Sequence, residues 1–180
     1  LTLYTEADEP VGAVIILHGR GFHPNWADVA YPLRVGLVEQ GWTTLSLQMP
    51  VLDKEAKFYD YLEIMDEAAP RIEAGIDYLK QQGNDNIILI AHSCSAHMAM
   101  QYVRKQGEDR FDAFVGIGMG ATDYKQPMRE PLPLDRMKKP VLDIYGGDDY
   151  PAVQRLAGIR AQQMEQEGHS LSTQIKIAGA

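Results

Sequence analysis

The chain has 180 residues, 45% of them hydrophobic and 23% charged, with a net charge of −8 and one cysteine. That length fits a single domain, residues 1–180, able to bury a core without disulfides or metals. An acidic balance without a basic cluster argues against nucleic acid or anionic membrane as partner, no run approaches the ~20 apolar residues of a membrane span, and lone Cys94 allows neither an intrachain disulfide nor a cysteine-based zinc site.

Short Val- and Ile-rich runs alternate with segments of helical periodicity, the pattern of a parallel sheet covered on both faces. The runs are Leu1–Thr5, Val11–Leu17, Thr43–Leu47, Asn86–Ala91, Phe114–Met119, Val141–Tyr145 and Thr173–Ile177. Between the second and third, Val29, Leu33, Leu37 and Val38 predict a crossover helix over Trp26–Gln40, with Gly41 as its C-terminal glycine. Between the third and fourth, Tyr61, Ile64, Met65, Ala68, Ile72, Ile76 and Leu79 keep one helix face up to Gly83, which Pro70 should break or kink. A helix is expected from Ser93 through Arg104, and another over Val153–Met164 ending at Gly168. Ala121–Pro140, with four prolines and many charges, reads as an irregular loop long enough to suggest a functional role.

Three segments carry chemistry. In Asn86-Ile-Ile-Leu-Ile-Ala-His-Ser-Cys-Ser, an apolar strand runs into Ser93 and straight on into helix-forming residues. A serine on such a turn projects its hydroxyl above the sheet and leaves the next backbone N–H free for an oxyanion. The G-x-S-x-G pattern becomes A-x-S-x-S, with Ala91 and Ser95 in the glycine places; the simpler local alternative is a serine capping an ordinary helix. The second segment is the turn His18-Gly19-Arg20-Gly21 after an early strand. The third, Tyr145-Gly-Gly-Asp-Asp, brings two acids to the end of a buried strand, where they could orient an imidazole or simply occupy a solvated turn.

These segments, with H-G-R-G-F-H-P-N-W and G-W-T-T-L-S-L-Q-M-P between Ile15 and Leu52, resemble the α/β-hydrolase superfamily over nearly the whole chain, and a bacterial family of uncharacterised α/β-hydrolases more narrowly. The resemblance implies an α/β-hydrolase fold, a mainly parallel sheet of about seven strands with helices on both faces and no cap domain. It implies Ser93 as nucleophile, Asp149 as triad acid with Asp148 as fallback, and the backbone N–H groups of Arg20 and Cys94 as oxyanion hole. His18, Gly19, His23, His92 and Asp148 are candidate pocket residues. The implied activity is cleavage of a small-molecule ester or thioester, without cofactor or metal.

In the resembled family the triad histidine follows the last strand, which here is Thr173–Ile177, so it is expected just past Ala180. One further strand is expected before Leu1. His169 precedes the last strand, and five or so strand residues at ~3.3 Å each set it roughly 17 Å or more from the site. Two other readings stand beside the enzyme. One is a non-catalytic scaffold of the same fold that binds a small molecule or a protein. The other is a nucleotide-binding domain built on Gly116, Gly118 and Ala121, whose glycines begin inside a strand and lead into a loop rather than a helix.

Overall fold

The computed structural model describes residues 1–179. Seven strands form one sheet: β1 (Thr2–Thr5), β2 (Gly12–Leu17), β3 (Trp42–Leu47), β4 (Ile87–His92), β5 (Ala113–Ile117), β6 (Val141–Gly146) and β7 (Thr173–Ile177). Their order is β1-β3-β2-β4-β5-β6-β7, and β1 alone runs antiparallel to its neighbour. The helices are α1 (Ala30–Glu39), α2 (Phe58–Tyr61), α3 (Ala68–Gln81), α4 (Cys94–Gln106) and α5 (Pro151–Glu167). This is the α/β-hydrolase fold, and among the described residues no inserted domain covers the carboxyl edge of the sheet.

The alternation of β2 divides the core. Ala13, Ile15 and Leu17 face α3 and α4 through Ile72, Ile76, Leu79 and Met98, while Val14 and Ile16 face α1 through Ala30, Leu33 and Leu37. Successive strand side chains point to opposite faces, so a strand buried on both reads as a continuous apolar run.

Proline sets where helices begin. The helix expected from Trp26 starts at Ala30, with Pro32 as its third residue; the one expected from Tyr61 starts at Ala68, with Pro70 as its third; α5 opens on Pro151 itself. Backbone N–H groups of a first turn have no intrahelical partner, so proline costs little there and much further in. The segment before α3 is accordingly broken into the short α2 and a 3₁₀ turn at Met65–Glu67. The break expected at Pro70 is thus present, set two residues earlier, with Pro70 in the opening turn of the shorter helix that follows.

Candidate functional site

The site is built where β4 ends. Ser93 follows His92 with φ 53° and ψ −115°, a left-handed conformation that costs a non-glycine residue about 1–3 kcal/mol. Its neighbours hold it there: the Ser93 N–H donates to Ile117 O at 2.8 Å, and its carbonyl accepts the Ala96 N–H at 3.0 Å. The chain enters α4 at Cys94, so the helix N-terminus and its partial positive charge lie directly beneath the serine.

Ala91 and Ser95 have their own reasons. Ala91 is fully buried between Leu17 and Gly116 on the flanking strands, where a larger side chain has no room. Ser95 Oγ donates to the carbonyl of His18, tying the first turn of α4 to the loop after β2. That loop carries Gly19 and Arg20. A Cβ on Gly19 would stand 2.7 Å from His92 Nδ1, so the close approach of loop and strand demands glycine. Among the described residues, the backbone N–H groups of Arg20 and Cys94 donate to no other protein group.

Ser93, Cys94, Arg20, His92 and Asp149 line one cavity of about 740 Å³ at the carboxyl edge of the sheet. Asp149 comes from the turn after β6. Its Oδ1 accepts the Tyr150 N–H at 2.7 Å and its Oδ2 the Gly146 N–H at 3.4 Å. Gly118, between the Ser93 turn and that carboxylate, has φ 62°, and a Cβ there would stand 3.3 Å from Asp149 Oδ2. Part of the wall is aromatic: Phe22 stacks on Trp26 with centroids 3.6 Å apart, and Phe58, Tyr61 and Tyr150 join them, while Asp53, Lys54, Thr122 and Asp123 make other parts polar.

Several sequence expectations need correcting. His18 does not line the cavity: it is 1% exposed and both ring nitrogens are engaged inside the fold. Its Nε2 accepts the Met49 N–H at 3.0 Å, so Nδ1 carries the proton and donates to Gly19 O at 2.8 Å. Burial holds this imidazole below its ordinary pKa, against the pull of that carbonyl. His23 is exposed and accepts the Asn25 N–H; Asp148 is exposed; Gly19 is buried under the His92 ring. None of these three is a lining residue. His169, by contrast, lies where the sequence placed it, at the amino end of β7, which runs parallel to β6, and so at the opposite edge from Ser93.

His92 does line the cavity. Burial holds its imidazole below the ordinary value while the Asp149 carboxylate pulls it up, and its Nδ1 is buried without a partner. Cys94 beside it is buried, and burial pushes its thiol up to about 12, so at neutral pH the sulfur stays protonated and a poor nucleophile.

Sequence reasoning missed Asp123. Its carboxylate accepts from Arg20 Nη1 at 2.5 Å, from Arg20 Nη2 at 3.1 Å and from the Phe58 N–H at 2.6 Å, so one side chain joins three loops around the cavity. The guanidinium and the Phe58 N–H hold that carboxyl below the usual carboxylate range. The available signal was its place, just past the carboxyl end of β5 in the long loop already singled out.

The sheet order and its crossover helices are those of the α/β-hydrolase fold. The chain belongs to the family described as "Protein of unknown function (DUF3530)", whose model matches residues 1–61 and 59–179. No curated protein matches it. Among solved structures it is similar to Est1E from Butyrivibrio proteoclasticus with ferulic acid bound, at 16% identity and TM-score 0.72, covering 99% of this chain and 85% of that one. It is also similar to a CIB-like hydrolase from Thermoplasma acidophilum (16%, TM-score 0.69, 99% and 81%). A third is an alpha-beta serine hydrolase homologue from Coxiella burnetii (18%, TM-score 0.63, 99% and 81%).

Proposed function

We propose that the protein is a serine hydrolase that cleaves a carboxylic ester or thioester through an acyl-enzyme. The observation that carries this reading is the left-handed Ser93 between β4 and α4, on a cavity it shares with Asp149. A strained backbone kept by surrounding hydrogen bonds is common at reactive sites and has no use in an ordinary helix cap.

In this reading Ser93 Oγ bonds to the acyl carbon as its proton passes to an imidazole. The carbonyl electrons collect on an oxygen that accepts the N–H groups of Arg20 and Cys94. Collapse of that intermediate breaks the bond to the alcohol or thiol, which leaves with the proton. Water then repeats the sequence and releases the acid. Asp149 orients the imidazole.

We place that imidazole in residues following Ala180. Supporting this, Gly147 N–H donates to Ile177 O at 2.7 Å, and a Cβ on Gly147 would stand 3.5 Å from the Gly179 nitrogen, so the chain leaving β7 is delivered beside the Asp149 turn. The aromatic part of the wall, Phe22, Trp26, Phe58, Tyr61 and Tyr150, suits apolar or aromatic acyl and alcohol groups, and Est1E, similar in fold, holds ferulic acid.

The test is fluorophosphonate labelling of the full-length gene product. Rapid labelling at Ser93, lost in Ser93→Ala, is expected. No labelling of a folded full-length protein returns the non-catalytic scaffold as the better reading.

A further inference from the structure

A second cavity lies behind the first. It measures about 220 Å³; Leu62, Met65, Met100, Met128 and Leu132 give it an apolar side with Phe58 at one edge, and His97, Gln101, Arg104, Arg129 and Glu130 complete the lining. Phe58 also bounds the cavity that holds Ser93, so one buried ring is wall to both.

The partition is held from two directions. The Phe58 N–H donates to Asp123 at 2.6 Å, and its ring packs on His97 with centroids 4.7 Å apart. His97 donates to Ala121 O through Nε2 at 3.0 Å, and burial lowers its pKa to about 4, so the ring is uncharged at neutral pH. The long 121–140 loop forms the roof. Arg104 pins it by pairing with Glu130 at 3.1 Å and donating to Pro131 O at 2.8 Å, and Tyr59 bonds Gln126 and Pro127. A loop with so many anchors is built to keep its shape, and the apolar side of the space beneath it carries Met65, Met100 and Met128, whose unbranched thioethers adapt to flexible apolar guests, while Arg104, Arg129 and Glu130 line the rest.

We propose that this methionine-lined cavity is a side pocket for an apolar acyl chain, and that Phe58 is the gate residue setting how long a chain the Ser93 cavity accepts. The proposal rests on the serine-hydrolase reading for its reaction, though not for its binding step. With Phe58 in place, short acyl groups fill the first cavity. When the ring is removed, the two spaces join and methylenes beyond the first few become buried, each worth roughly fourfold in binding.

The experiment compares kcat/KM for p-nitrophenyl acetate and p-nitrophenyl decanoate in full-length wild-type and Phe58→Ala protein. The decanoate-to-acetate ratio is expected to rise at least about tenfold in the variant, two or more newly buried methylenes sufficing. Met100→Phe, added to Phe58→Ala, refills the pocket and should bring the ratio back down. Should Phe58→Ala fail to fold, Phe58→Leu makes the same comparison with a smaller rise. An unchanged ratio, with both esters turned over, overturns the proposal. If wild type turns over neither ester, the hydrolase reading fails instead. Decanoate binding by calorimetry then decides the pocket: binding gained in Phe58→Ala over wild type supports it, and none overturns it.

Discussion

Asp123 grips Arg20 across 103 residues of sequence, two parallel hydrogen bonds holding the side chain of a residue that lines the Ser93 cavity. Such bidentate pairs fix geometry as well as charge. The bonds come from the 121–140 loop, so a segment with little regular structure holds the β2–α1 loop in place.

Asp123→Asn is therefore expected to lower kcat/KM by at least about tenfold while costing only about 1–2 kcal/mol of stability, the range for charge-assisted bonds at a partly exposed site. Ester kinetics and urea melts on the same preparations check both figures. A stability loss with kcat/KM unchanged would limit Asp123 to a structural part. The pH dependence has a fixed sign. The folded-state pKa of Asp123 is depressed, so its contribution is present above the unfolded carboxylate value near 3.9 and fades as pH falls below it. Wild type and Asp123→Asn should converge in stability below about pH 4.

The buried pair behind the site behaves differently. Arg160 Nε donates to Asp143 Oδ2 at 2.7 Å, with both residues at 1% exposure or less, and Arg160 also bonds the carbonyls of Met119 and Val153. Asp143→Ala should cost about 3–5 kcal/mol, because it strands a buried guanidinium. The double variant Asp143→Leu with Arg160→Met should recover much of that loss. Guanidinium unfolding of the three proteins measures it; a double variant no better than the single would mean the pair contributes net stability.

Of the two adjacent acids, Asp149 faces the cavity and Asp148 faces solvent. Asp149→Asn in the full-length protein should reduce kcat on the order of 10⁴-fold, as loss of the orienting carboxylate does in serine proteases, and Asp148→Asn far less. Equal losses would show the acid to be misassigned.

A thiol held at about 12 should not react with a disulfide reagent such as DTNB at pH 8 while the protein is folded, and should react fully in guanidinium. Fast reaction of the native protein would show that Cys94 is more accessible than its packing implies.

If the base follows residue 180, as proposed, residues 1–180 alone should turn over esters slowly, since a serine hydroxyl without its base loses its proton poorly. The full-length gene product should turn the same esters over faster. Fast labelling of residues 1–180 that disappears in His92→Ala would place the base at the end of β4 instead.

Much of the fold was legible in local pattern. Gly12–Leu17 and Ile87–His92 are almost uninterrupted apolar runs because parallel strands are buried on both faces, and that signature needs no tertiary knowledge. Helix starts were misjudged at Trp26 and Tyr61. Apolar periodicity continues across a proline, whereas the backbone obeys the ring, which fits only a first turn.

The site divides the same way. A strand-to-helix turn at Ser93 and a glycine-acid turn at Asp148-Asp149 are local events, written in consecutive residues. Which acid turns inward, and that His18 is spent on Met49 and Gly19, follow from packing between segments tens of residues apart. The sequence by itself determined the layered sheet and the turns at Ser93 and Asp148-Asp149, because strand burial and turn chemistry act over a few residues. Only the tertiary structure decided the Asp123–Arg20 clamp and the Phe58 partition, because a hydrogen bond or a shared wall between distant loops depends on where the whole sheet delivers them.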